Sequence, residues 1–160
     1  MCLHKHYILV LTMLLSSMAE AIELEPLSDF VRHHPQFMTK MKDSQMVVSR
    51  CSALYLVLSV RLYDMENKKE ANTLISQLSK TAESYEVARE ILSKTSLYDE
   101  QSTRFLQKEF AKKYAEITLT NWKKNNDLFN TLIREDLKVC EDNAPHFKKF
   151  TDKLSKELRR

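Results

Sequence analysis

Glycine is absent from all 160 residues of this chain, and proline occurs only at Pro26, Pro35 and Pro145. Tight turns between short strands depend on backbone conformations that glycine adopts most easily, so strand-rich folds of this size need it. Helices joined by loops that contain Asn or Asp do not have this requirement. The composition therefore favours an all-α fold.

The helical interpretation rests first on the stretch from Met46 to Tyr63, whose sequence is MVVSRCSALYLVLSVRLY. Its apolar residues recur at steps of three, four or seven, which is the repeat of a helix face, and an adjacent face is apolar as well. The uncharged run from Cys51 to Val60 is too short to cross a membrane, which takes about 20 residues. We expect a central helix surrounded by other helices, and a buried strand over residues 54–60 is the alternative.

The first 21 residues have the layout of a cleavable secretory signal. Lys5 precedes an apolar run from Tyr7 to Leu15, and the segment closes on the small-residue site Ala19-Glu20-Ala21. Cleavage after Ala21 would leave residues 22–160, which we expect to form a single helical domain. An uncleaved N-terminal anchor is the alternative interpretation.

Two cysteines, Cys51 and Cys140, remain once the predicted leader with Cys2 is removed. A cysteine pair in an exported protein usually oxidises, so we predict a disulfide between them and a periplasmic or secreted location. A loop of nearly ninety residues closed in this way would be stabilised by about 4 to 5 kcal/mol. The alternatives are two free buried thiols, a metal site that lacks a histidine pair, and a catalytic pair of Cys140 with His146.

Periodicity and cap residues divide the rest of the chain into helices. A short helical turn is expected near residues 29–33, and Pro35 can start a helix that reaches about Asp64, either unbroken or interrupted near Asp43-Ser44. Further helices are predicted over residues 68–94, 100–124, 127–140 and 145–158. Asp99, Asp127 and Pro145 start the last three of them, and Asn125-Asn126-Asp127 ends the helix over residues 100–124. The expected architecture is a compact bundle of four to six helices with one disulfide.

No motif for enzymatic chemistry occurs in the sequence, which has no phosphate-binding loop, metalloprotease signature or nucleotide fingerprint. The acidic pairs Asp99-Glu100, Glu135-Asp136 and Glu141-Asp142 are interpreted as solvated helix surface, because neighbours in a helix point apart. We therefore predict no catalytic residues, no metal and no cofactor. A small hydrolase whose site assembles only in three dimensions is the alternative.

The last helix is the candidate interaction surface. Residues 147–160 hold six basic and two acidic side chains, and a basic amphipathic helix of this kind can lie on anionic lipid. The candidate membrane or partner surface comprises Phe147, Phe150, Lys148, Lys149 and Lys153. A net charge of +3 is too small to indicate nucleic acid. The expected partner is an unknown protein or a small apolar ligand, with peripheral membrane contact as the alternative.

Three segments carry a resemblance. The leader, the helix segment RCSALYLVLS at residues 50–59 and the segment DLKVCEDNAP at residues 136–145 resemble small exported helical proteins of unknown function from bacteria and their phages. The resemblance implies export and a helical fold but no activity. In outline the chain is also similar to the periplasmic acid-stress chaperones, with which it shares no specific motif.

Overall fold

The computed structural model describes residues 24–63, 68–93 and 100–158. Five α-helices account for nearly all of them, and the described residues contain no strand. The predicted all-α bundle of four to six helices is therefore confirmed. The predicted leader at residues 1–21 and the predicted cap Asp99 lie outside the described residues. The helices are α1 (Leu27–His33), α2 (Met41–Tyr63), α3 (Lys68–Ser93), α4 (Glu100–Asn125) and α5 (Thr131–Leu158).

Helix α2 is the centre of the bundle, and it packs mainly against α3 and α4. Its residues from Val47 to Tyr55 are all buried. This helix is long and apolar enough to cross a membrane by length and composition, but most of its apolar window is covered by the rest of the protein. A buried core helix has the same composition, which is the predicted role of this stretch.

The start of α2 differs from both versions of the prediction. The helix begins at Met41, neither at Pro35 nor at the Asp43-Ser44 position. Residues 35–40 form turns in which the Lys40 amide donates to Gln36 O and Phe37 O. These turns bring Phe37 into the core, where it is 5% exposed, and the Ser44 hydroxyl donates to Phe37 O at 2.6 Å.

Helices α3 and α4 have the bounds that periodicity predicts to within one residue. Helix α4 ends where Asn126 adopts a φ of +53°, the left-handed conformation that glycine usually supplies at a helix C-terminus. The predicted cap Asp127 accepts a hydrogen bond from the Phe129 amide within the loop. The side chain that caps α5 is Asn130, whose Oδ1 accepts from the Ile133 amide.

The predicted connection at residues 142–145 is wrong, because α5 runs unbroken through Pro145. Proline at this position cannot donate to the carbonyl four residues earlier, which belongs to the exposed residue Glu141. A single helix places Ile133, Cys140 and Phe147, spaced by seven residues, on one face, and all three are fully buried. Burial of this shared face offsets the missing backbone hydrogen bond.

Candidate functional site

A disulfide joins the two buried cysteines Cys51 on α2 and Cys140 on α5. The predicted bridge is therefore confirmed, and it fits an oxidising environment outside the cytosol. The Tyr85 hydroxyl donates to Cys140 O at 2.5 Å, which ties α3 to the same point. Because Cys140 is oxidised, it cannot act as a nucleophile with His146, whose side chain is exposed on α5.

A buried polar cluster lies beside the disulfide and joins four parts of the chain. Arg50 Nη2 on α2 donates to Asp136 Oδ2 on α5 at 2.7 Å, and Arg50 Nε donates to the Tyr114 hydroxyl on α4 at 2.9 Å. The Tyr114 hydroxyl in turn donates to Asp136 Oδ2. The segment before α1 completes the cluster, because Glu25 O accepts from Arg50 and the Leu27 amide donates to Asp136 Oδ1 at 2.7 Å.

The surroundings of Arg50 and Tyr114 raise the pKa of both side chains. Burial alone would lower the pKa of Arg50, but the neighbouring Tyr114 and Asp136 outweigh it and raise the pKa above its ordinary value. Burial, reinforced by the negative charge of Asp136, raises the pKa of Tyr114 well above 10. Arg50, Tyr114 and Asp136 are at most 3% exposed, so no substrate reaches them. Their arrangement holds the fold together.

The interpretation of Glu135-Asp136 as a solvated pair is wrong for Asp136, which is 0% exposed. Glu135 beside it is exposed as predicted. The sequence does indicate that Asp136 is buried, because it lies three residues after Ile133 and four before Cys140, on the apolar face of α5. A carboxylate on such a face requires a buried cationic partner, and Arg50 at the edge of the uncharged run of α2 is that partner.

A second polar cluster joins α2, α3 and α4 nearer the surface. The Ser52 hydroxyl donates to Glu86, and Gln107 Nε2 donates to Ser52 Oγ at 2.6 Å and to Glu86 Oε1 at 2.8 Å. Arg89 Nε donates to the other carboxylate oxygen of Glu86 at 3.0 Å. Ser52 is only 2% exposed, so its hydroxyl is not placed to attack a substrate, whereas the Glu86 side chain is 45% exposed.

Large apolar side chains remain exposed on the otherwise buried helix α2. Leu56 is 53% exposed, Val60 56% and Tyr63 77%. Their spacing of four and three residues places them on one side of the helix. They lie on the side opposite the disulfide, since Val60 follows Cys51 by nine residues, or two and a half turns.

Helix α4 continues this exposed surface. Three hydrogen bonds show that α2 and α4 run in the same direction, because Gln45 bonds Thr103, Ser52 bonds Gln107 and Arg61 bonds the carbonyl of Ala115. Leu119 and Trp122 follow Ala115 by four and seven residues on the same side of α4, and both are 37% exposed. The α2–α4 apolar face is defined here as Leu56, Val60, Tyr63, Leu119 and Trp122.

The candidate surface predicted on the last helix is only partly at the surface. Phe147 is 0% exposed and its ring lies 5.5 Å from that of Tyr85 and 6.1 Å from that of Phe37. Phe150 is partly buried and packs against the core. Phe147 is therefore a core residue, because it lies on the same face of α5 as Cys140. The lysines of the predicted set, Lys148, Lys149 and Lys153, are exposed.

The residues that the structure describes bring no set of metal ligands together. Among residues 24–63, 68–93 and 100–158, no group of three His, Cys, Asp or Glu side chains is arranged to hold an ion. His34 Nδ1 lies 3.2 Å from Asp43 Oδ2 and its ring stacks on Phe30. A cleft of 410 Å³ between α3 and α5 has side chains of both charges, among them Lys80, Glu83 and Asp152. Its mixed charges do not select one ligand chemistry.

Comparison of the chain with protein-family models, with curated proteins and with solved structures finds no match.

Proposed function

We propose that this is an exported, non-enzymatic binding protein of the bacterial periplasm, and that it binds another protein through the α2–α4 apolar face. The observation that carries the proposal is the exposure of Leu56, Val60 and Tyr63 on the helix that is otherwise the most buried. Nearly every other apolar side chain of α2 is covered by the bundle. Grouped exposure of large apolar side chains is typical of a surface that a partner covers.

The composition of the face supports a protein partner. Tyr63 and Trp122 are of the residue types that contribute most to protein interfaces, because they bury a large area with few rotatable bonds. Small-ligand sites are concave and enclose most of the ligand, whereas this face consists of side chains at 37% to 77% exposure. An open helix face therefore supports a protein partner over a small apolar ligand.

The polar groups support a non-enzymatic role. Arg50, Asp136 and Tyr114 satisfy one another inside the core, and the Ser52 hydroxyl is covered and bonded to Glu86. A catalytic group has to reach the substrate, so these clusters support the fold and not a reaction. The predicted leader and the buried disulfide support export to the periplasm.

Site-directed photo-crosslinking tests the proposal. A photoreactive phenylalanine analogue replaces Val60 in the bacterium that makes the protein, and the matched control carries the analogue at Val87, which is 43% exposed on α3 and outside the face. We expect a crosslinked product from position 60 and little from position 87. Equal yields at the two positions, or no product from position 60, would contradict the proposal.

A combined variant shows whether the crosslinked product depends on the α2–α4 apolar face. Adding Tyr63→Lys to the chain that carries the analogue at position 60 should reduce the product at least several-fold, because a charge replaces an apolar contact. Tyr63 is 77% exposed, so this change leaves the fold intact. An unchanged yield would show that crosslinking does not report binding through this face.

A further inference from the structure

The contacts between helices divide the described bundle into two parts. Helices α2, α3 and α4 are joined by contacts of their own, and they are called the three-helix unit here. Gln45 Nε2 on α2 donates to Thr103 Oγ1 on α4 at 2.6 Å, and the rings of Tyr55 on α2 and Tyr85 on α3 stack with their centres 6.0 Å apart. The second polar cluster, around Ser52, joins all three helices.

Helices α1 and α5, with the lead-in residues 24–26, form the other part, which is called the strap. Among the described helices α1 packs mainly on α5, and the Leu27 amide donates to Asp136 Oδ1 at 2.7 Å. One loop, residues 34–40, joins α1 to the three-helix unit, and another, residues 126–130, joins α5 to it. Opening of the strap would therefore leave the contacts within the three-helix unit unbroken.

The polar and covalent connections of α5 to the three-helix unit converge on one of its turns. Arg50 pairs with Asp136 at 2.7 Å, and the adjacent Cys51 is bonded to Cys140, four residues later on the same side of α5. The Tyr85 hydroxyl donates to Cys140 O. A buried ion pair adds little net stability, because both charges lose their hydration when the helices dock. The disulfide is therefore the connection that keeps the strap closed.

We propose that the strap is a redox-controlled latch. With Cys51 and Cys140 reduced, the strap opens while the three-helix unit stays folded, and formation of the disulfide locks it shut. In the locking step the two thiols lose two protons and two electrons to an oxidising disulfide, which is itself reduced to two thiols. A reducing compartment therefore leaves the latch free to open, and an oxidising compartment locks it.

Burial protects the lock from reduction. Cys51 and Cys140 are both 0% exposed in the closed form, so a reducing thiolate does not reach either sulfur atom. Opening of the strap uncovers the side of α2 that carries Cys51, and an oxidant reaches the thiol there. The cysteines are therefore open to oxidation before the strap closes and shielded from reduction afterwards.

The alkylation rates of two buried thiols test the latch. Every chain carries Cys2→Ser, so that only the intended thiol reacts. In the first chain Cys51→Ala leaves the thiol of Cys140, which reports the separation of α5 from the three-helix unit. The second chain combines Cys51→Ala and Cys140→Ala with Ser49→Cys, and its thiol reports the separation of α2 from α4.

Ser49 is suited to this comparison. It is 0% exposed and lies on one side of α2 between Gln45 and Ser52, both of which bond to α4. Its hydroxyl has no hydrogen-bond partner within the part of the chain that the structure describes, so a thiol replaces it without breaking a contact.

We expect the Cys140 thiol to react about tenfold faster or more than the thiol introduced by Ser49→Cys, because the strap opens without the three-helix unit. Equal rates, whether both fast or both slow, or a faster reaction at position 49, would overturn the latch. The bundle would then open as one cooperative unit.

Reduction of the intact disulfide tests the position of the lock. In Asp136→Asn the charge of Arg50 has no counter-ion in the closed form, so the strap should open more often. Reduction by dithiothreitol without denaturant should become faster by about tenfold or more. The matched control Glu135→Gln changes the exposed neighbour and should leave the rate unchanged. An unchanged rate in Asp136→Asn, or equal acceleration in both variants, would contradict the proposal.

Amide hydrogen exchange locates the opening in the chain. In the variant with both Cys51→Ala and Cys140→Ala, we expect protection of α1 and α5 to fall about tenfold or more below that of α2. In the oxidised parent protein the difference should be smaller, because the bond holds the strap closed. Equal protection of all five helices in the variant would overturn the division into a strap and a three-helix unit.

Discussion

Replacing Asp136 with Asn keeps the shape of the side chain but removes an acceptor that the fold requires. One carboxylate oxygen accepts from the Leu27 amide, and the other accepts from Arg50 and from the Tyr114 hydroxyl. An amide has only one oxygen, so in either orientation its NH₂ group faces another donor. The charge of Arg50, whose side chain is only 4% exposed, would also lose its counter-ion.

We expect Asp136→Asn to lower the free energy of unfolding by about 3 to 5 kcal/mol, since one partner of a buried ion pair is removed. The matched control is Glu135→Gln, the same chemical change at the exposed neighbour, which should stay within about 0.5 kcal/mol of the parent protein. Urea unfolding followed by circular dichroism and by the fluorescence of the single tryptophan, Trp122, measures both. A loss below about 1 kcal/mol for Asp136→Asn, or equal losses for the two variants, would refute the structural role of the cluster.

A double-mutant cycle then assigns the loss to the pair. Arg50→Met alone should also be strongly destabilising, because Asp136 would remain buried without its cation. Once either partner is gone, removing the other costs less, so the double variant should be more stable than additivity predicts by about 2 kcal/mol. Strict additivity would show that Arg50 and Asp136 act independently.

Two further predictions concern the core. Replacing Cys51 and Cys140 with Ala should lower the free energy of unfolding by about 4 to 5 kcal/mol. The bridge spans 89 positions, and its removal increases the conformational entropy of the unfolded chain. A urea titration that shows a loss of less than about 1 kcal/mol would contradict this. Burial raises the pKa values of three tyrosines, Tyr55, Tyr85 and Tyr114. Above about pH 10 the unfolded chain releases tyrosyl protons that the folded chain keeps, so stability is complete below that pH and falls as the pH rises, by about 1.4 kcal/mol per pH unit for each tyrosine. Between pH 10 and 11 the unfolded tyrosine is only partly deprotonated, so Tyr114→Phe should reduce the loss of stability over that interval by about 1 kcal/mol. An unchanged loss would contradict this.

Periodicity and capping preferences predicted the features of the fold that depend on residues close together in the sequence. The bounds of α3 and α4 followed from periodicity, and the left-handed Asn126 followed from the need for a helix terminator in a chain without glycine. The disulfide followed from the predicted leader and from the count of cysteines. None of these predictions requires knowledge of which helix faces pack together.

The wrong predictions concern features that depend on contacts between residues far apart in the sequence. The sequence predicts that Pro145 begins a helix, but burial of Cys140 and Phe147 on one face keeps α5 continuous. The pattern of acidic pairs predicts a solvated Asp136, because its partner Arg50 is 86 positions away and sequence spacing does not show which helix lies opposite. Local propensity is a weak constraint when tertiary packing opposes it.

The sequence also does not predict the exposed face. Periodicity shows that α2 is apolar on several sides, but it does not show which side remains exposed. The side toward α5 is fixed by the disulfide at Cys51 and by the ion pair of the adjacent Arg50. Leu56, Val60 and Tyr63 are therefore held on a helix that is already immobilised from its other side. Binding to a rigid face costs less conformational entropy than binding to one that must first become ordered, so the contacts that stabilise the fold also favour the proposed binding.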